Sequence, residues 1–159
     1  PHEKYNAVNY EQIGRILYEF SGDALSDVQQ FAKRLLVNIL LANGDAHLKN
    51  YGLIYKDTSS IVNLAPIYDI VTTTAYLPKD IMALTLNGSK RWASRDDLLA
   101  FATKSCMLSN AQASQIFEEV IAAIKQVSEL LTQEVELNHK FKDIGLQMLA
   151  IWRDSITSF

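Results

Sequence analysis

With Cys106 as its one cysteine, the 159-residue sequence can form no internal disulfide and suits a reducing compartment. That lone thiol reads as a small buried hydrophobe rather than a nucleophile. No apolar run approaches the roughly 20 residues that span a bilayer, and residues 1–5 have none of the basic, apolar and cleavage regions of a secretory signal. These absences predict a cytoplasmic protein without a membrane partner. Lys and Arg form no cluster, and a formal net charge of −3 argues against strong direct binding to a nucleic-acid backbone. Repeats, low-complexity segments and linkers are missing too. What is there, 48% hydrophobic and 21% charged residues, is the composition of one soluble domain over residues 1–159 with a sizeable core.

Helical periodicity is the main local signal. Residues 10–20 read as a short helix stopped near Ser21 and Gly22, with Asp23 or Ser26 placed to cap the next. Val28, Phe31, Ala32, Leu35, Leu36, Ile39 and Leu40 recur at helical spacing, so a buried second helix runs directly into a polar loop. Beyond that loop, residues 51–55 and 61–64 predict two short strands around the polar turn 56–60. Residues 71–74 are β-branched and irregular, and residues 81–86 alternate toward Asn87-Gly88, predicting a strand that ends in a turn. Two or three long helices complete the chain. Ile116, Phe117, Val120, Ile121, Ile124, Val127 and Leu131 form one core stripe, and Phe141, Ile144, Met148, Ile151 and Trp152 another. Gly145 interrupts the last pattern at a cost of about 1 kcal/mol relative to Ala, which predicts close packing or a slight bend. The fold class is therefore mainly α with a small β-hairpin.

The loop carries the chemistry. Asn43-Gly44-Asp45-Ala46-His47-Leu48-Lys49-Asn50 is followed, after the strand pair, by Ile67-Tyr68-Asp69. An Asp, four residues, an Asn, a strand pair and a second Asp is the order in which protein kinases supply a catalytic base and their Mg²⁺ ligands. Asp45 would accept a proton from the attacking hydroxyl. Asn50 would offer a neutral oxygen to Mg²⁺, and Asp69 would bridge the metal to the phosphates of ATP, hard oxygen donors for a hard cation. A plainer reading stands beside this one. Asn43 and Gly44 tolerate positive φ and Asp45 could cap the next segment, so the loop also fits a turn without chemistry. Its setting, between a buried helix and a hairpin, matches the active-site edge of a kinase C-lobe.

On Leu35-Leu-Val-Asn-Ile-Leu-Leu-Ala-Asn-Gly-Asp-Ala-His-Leu-Lys-Asn50, Leu64-Ala-Pro-Ile-Tyr-Asp-Ile70 and Leu84-Thr-Leu-Asn-Gly-Ser-Lys90, the sequence resembles the C-terminal region of the HipA-like toxin kinases of bacterial toxin–antitoxin systems. The likeness covers nearly the whole chain. It implies a serine/threonine kinase using ATP and Mg²⁺, with a largely helical C-lobe. It also implies a DNA-binding antitoxin as partner and a protein substrate, an aminoacyl-tRNA synthetase for the family's toxins. Carried over, the catalytic aspartate falls on Asp45 and the metal residues on Asn50 and Asp69. The Tyr-Asp-Ile setting of Asp69, in place of Asp-Phe-Gly, fits this family as well. Asp45-x-His47-x-x-Asn50 is similar to the loop of lipid-kinase-like enzymes, so His47 or Lys49 could neutralise charge on the transferred phosphoryl. Alternatively, His47 bonds the loop backbone and Lys49 lies in solvent. Lys90 and Arg91 read as an exposed basic pair.

Half of such a kinase has no counterpart here. There is no Gly-rich phosphate loop and no β-rich segment before the first helix, so the chain, which starts at Pro1, is expected to be the C-terminal part of a longer protein, with the N-lobe as its first partner. Two function classes follow: a catalytic C-lobe, or a non-catalytic module that keeps the fold to bind an antitoxin-like partner. A small-molecule phosphotransferase is a third. The presence of Asp45, Asn50 and Asp69 together favours the first.

Overall fold

The computed structural model describes residues 8–57 and 59–159. The expectations for residues 1–5, and the share of the polar turn that falls on Thr58, lie outside the described residues.

Helix α1 (Tyr10–Phe20) opens with a capping box in which Asn9 accepts from the Gln12 N–H at 2.8 Å and Gln12 returns a bond to the Asn9 N–H at 3.0 Å. It stops at Ser21, as predicted. Of the two candidate caps for α2 (Ala24–Leu40), Asp23 does the work, accepting from the Ser26 N–H. Every residue of the predicted α2 stripe is buried. This helix is the centre of the molecule, packed against α1, against α4 (Asn110–Leu137) and against α5 (Lys142–Ser158). Between them, α3 (Arg95–Lys104) starts from a Ser94–Asp97 capping box.

The hairpin is short. Strands β1 (Leu53–Ile54) and β2 (Asn63–Leu64) pair antiparallel, Leu53 opposite Leu64. Asp27, buried in α2, accepts from the Leu64 N–H at 2.7 Å and from the Ser21 hydroxyl, which pins β2 to the helix. Strand β1 faces outward, with Leu53 and Ile54 exposed.

The strand predicted over residues 81–86 is not formed. Met82, Leu84 and Leu86 do alternate into the core, yet pairing is confined to a bridge between Leu86 and Ser89 and a Met82 N–H to Lys90 carbonyl bond. The segment lies on α1, whose Tyr10 N–H bonds Thr85, so no second strand continues a ladder. The turn is as expected: Asn87 and Gly88 take φ of 50° and 71°, as a two-residue hairpin requires.

Three helices follow, as anticipated. Ile116, Phe117, Val120 and Ile124 are buried, but Val127 is 49% exposed. It sits at the lip of an apolar groove of about 390 Å³ with Val37, Leu41 and Trp152, where α4 runs past the end of α2. Helix α5 covers α4 with half-buried Ile144, Met148 and Ile151 and buried Trp152. Gly145 is needed for that contact, because a Cβ there would lie 2.3 Å from Val135 Cγ2. Trp152 Nε1 donates to the buried Thr72 hydroxyl at 2.7 Å, tying α5 to the loop that follows Asp69. Cys106 is fully buried, and burial pushes its thiol up to about 12.

Candidate active site

At the end of α2 the chain must leave the helix abruptly, and Ala42 does this in the left-handed region at φ 52°. Asn43 and Gly44 tolerate positive φ, but neither adopts it. Asn43 instead folds back to α2, its N–H on the Asn38 carbonyl at 2.7 Å. Gly44 is required for space, since a Cβ would lie 2.2 Å from Asp80 Oδ2 and 2.6 Å from the Ile81 carbonyl.

The side chain of Asn43 is buried and organises the loop. Its Nδ2 donates to Asn38 Oδ1 at 2.7 Å and to the Asp69 carbonyl at 3.3 Å, while its Oδ1 accepts from the Asp45 N–H at 3.2 Å. One carboxamide thus holds the backbones of both acidic residues. Neither Asn38 nor Asn43 was singled out from sequence for this. A polar residue inside the apolar α2 stripe was the available signal for Asn38, because a buried amide needs partners.

Asp45 is exposed at the surface of the loop. The next carbonyl, of Ala46, accepts from the Tyr10 hydroxyl at 2.8 Å, and burial pushes that phenol up to about 12. The backbones of His47 and Lys49 both bond within the site. The His47 N–H bonds the Asp45 carbonyl at 2.8 Å and Asn50 Oδ1 at 2.9 Å, and the Lys49 carbonyl accepts from the Tyr68 hydroxyl. A 3₁₀ turn over Leu48–Asn50 then buries Asn50.

Asn50 and Asp69 meet. Asn50 Nδ2 donates to Asp69 Oδ2 at 2.8 Å, and Asp69 presents its carboxylate from a left-handed backbone at φ 61°. A non-glycine residue there is uncommon, and the carboxylate it aims at Asn50 gives the conformation a purpose. The pair suits Mg²⁺, which takes one or two protein oxygens and completes its shell with water or phosphate. Among the described residues no group of three or more His, Cys, Asp or Glu could hold a metal by itself, so such a cation would depend on its other ligands. Asn50 Oδ1 accepts one bond, from the His47 N–H, and its second lone pair is the one it would offer to a cation.

Residues 1–128 match the model of the HipA-like C-terminal domain. The chain belongs to that family. The protein named "Putative kinase Y4dM" of Sinorhizobium fredii is 40% identical over 108 residues, covering 66% of this chain and 26% of that protein. A "Putative kinase" of Haemophilus influenzae is 27% identical over 143 residues, covering 79% of this chain and 41% of its own length. This HipA-like chain therefore spans well under half of either relative. Its fold is that of HipA from Shewanella oneidensis MR-1, solved with HipB and operator DNA, at a TM-score of 0.78 and 15% identity, over 96% of this chain and 36% of HipA. No described helix of the HipA-like chain is long and apolar enough to cross a membrane.

Proposed function

We propose that this HipA-like domain is the catalytic C-lobe of a serine/threonine kinase that transfers the γ-phosphoryl of ATP to a protein hydroxyl with the help of Mg²⁺. The direct contact between Asn50 and Asp69, on a loop that leaves Asp45 exposed, carries this reading. A module that only binds a partner needs no such contact. ATP supplies the electrophilic phosphoryl and Mg²⁺ neutralises part of its charge. Asp69 and Asn50 would hold the cation through their side-chain oxygens. Asp45, held by Asn43 through its N–H, takes the proton of the acceptor hydroxyl as the new bond forms. His47 and Lys49 are the residues of the loop that this reading assigns to the phosphoryl oxygens.

The relatives' greater length fits an opposing lobe that supplies the other half of the nucleotide site. HipA's crystal partner, HipB, supports an antitoxin-like protein as the binding partner here and a toxin role within a toxin–antitoxin pair. The substrate that the family resemblance implies is an aminoacyl-tRNA synthetase. The test is MgATP turnover by the full-length gene product. Asp45→Asn is expected to lower turnover by roughly 10²–10⁴, the usual worth of a positioned general base, with MgADP affinity unchanged. Wild-type turnover in that variant would remove Asp45 from the role.

A further inference from the structure

We infer that Thr73, held by Asp80, is a positioning residue that sets the place of Asp45; this rests on the kinase reading above. The Gly44 N–H, one residue before Asp45, is buried and points at Thr73 Oγ1 at 2.7 Å. A buried N–H needs an acceptor, and this hydroxyl supplies it. The hydroxyl's one proton has two acceptors in reach, Asp80 Oδ2 at 2.5 Å and the Ala42 carbonyl at 3.2 Å. The shorter bond, to a carboxylate, orients the hydroxyl so that its lone pair faces Gly44.

Asp80 is itself fixed, with Oδ1 accepting from the Ile81 N–H at 3.0 Å. Residues 80 and 81 press directly on Gly44, where even a methyl group has no room. Ala42, the left-handed residue at the entrance to the loop, is held from the same side by the Thr74 N–H at 3.4 Å. The 3₁₀ turn Thr73–Ala75 therefore grips residues 42 and 44, on either side of Asn43 in the chain. Asn50 and Asp69 are placed by other contacts, those of Asn43, His47 and Tyr68. Loss of the Thr73 hydroxyl should then displace Asp45, next in the chain to the lost Gly44 bond, more than Asn50 and Asp69, which are also held by His47 and by each other.

The experiment uses the full-length gene product, MgATP as substrate and water as acceptor. Thr73→Val keeps the side-chain shape and removes the hydroxyl. It is expected to lower kcat by about 10–100-fold, the order of effect a 1 Å misplacement has, with KM for MgATP within about 2-fold. Thr73→Ser, which restores the hydroxyl, should return kcat to within about 3-fold of wild type. A general loss of folding would move KM and the melting temperature with kcat, and serine would not rescue it selectively. Wild-type kcat in Thr73→Val, or a fall in kcat matched by a rise in KM, overturns the inference. If Thr73→Val does not fold, Asp80→Asn replaces it: a selective fall in kcat supports the inference and wild-type kcat overturns it. A wild-type protein that neither binds MgADP nor transfers phosphoryl from MgATP, to water or to its own Ser and Thr hydroxyls, would instead sink the kinase reading, and the positioning role with it.

Discussion

Asn50 Nδ2 lies 2.8 Å from Asp69 Oδ2, joining two side chains that are 19 residues apart and reach the site from opposite ends of the hairpin. If the pair holds a metal–nucleotide complex, its two members should fail differently from Asp45. Asp69→Ala is expected to weaken MgADP binding and lower MgATP turnover together, whereas Asp45→Asn spares binding. Calorimetric titration of MgADP into both variants checks this. An Asp69→Ala protein that binds MgADP as wild type does would remove Asp69 as a ligand.

Phosphoryl transfer is mostly positioning and charge stabilisation, so one lobe should not hold a triphosphate in line with an acceptor. Residues 1–159 alone are expected to be nearly inactive with MgATP. They should still unfold cooperatively, because α1 to α5 share one continuous core. Thermal melting and MgATP turnover, measured with and without the proposed opposing lobe supplied in trans, decide the point. Robust turnover by residues 1–159 alone would favour a compact small-molecule phosphotransferase.

Gly145 tests the contact between α4 and α5. Alanine has the better helix propensity by about 1 kcal/mol, but its Cβ would lie 2.3 Å from Val135 Cγ2 and 2.8 Å from Phe141 Cε1. Val135 is buried and β-branched, so it has little freedom to give way. Gly145→Ala is expected to destabilise the protein by about 1–3 kcal/mol net, read from urea unfolding. An equally stable or more stable variant would mean that the two helices separate easily.

Asp97 gives a pH signature away from the active site. The Ser94 N–H and hydroxyl at 3.0 and 2.8 Å, the Asn87 amide at 3.0 Å and the Arg91 guanidinium hold its carboxyl down at about 2. The unfolded chain titrates near 4, about the ordinary value for Asp. A depressed native pKa means that this stability is complete above about pH 4 and is lost as pH falls through about 2. Asp97→Asn should therefore melt below wild type at pH 6, with the gap closing between pH 4 and 2. A gap that stays constant over that range would show that the charge on Asp97 contributes nothing.

Much of the site was legible before folding because its signals are local. Asp45 and Asn50 share one loop, and the hairpin that follows has two strands and a polar turn, enough to predict that Asp69 returns to Asn50. Asn87-Gly88 likewise announced its turn through backbone preference alone. The strand before it failed for a non-local reason. Alternation in residues 81–86 reports one buried face, and whether a ladder forms depends on a neighbouring strand that α1 displaces.

Sequence alone determined the helices, the polar loop and the residue types at its chemical positions, because periodicity, capping and hydrogen-bonding capacity belong to short segments. Only the tertiary structure decided which residues hold that loop in place. Asn43 acts on a carbonyl 26 residues away and Thr73 on an N–H 29 residues away. The left-handed turn falls on Ala42, while Gly44 serves where Asp80 presses on the backbone. No local preference encodes that choice, since it follows from which surfaces α2 and the segment after Asp69 bring together.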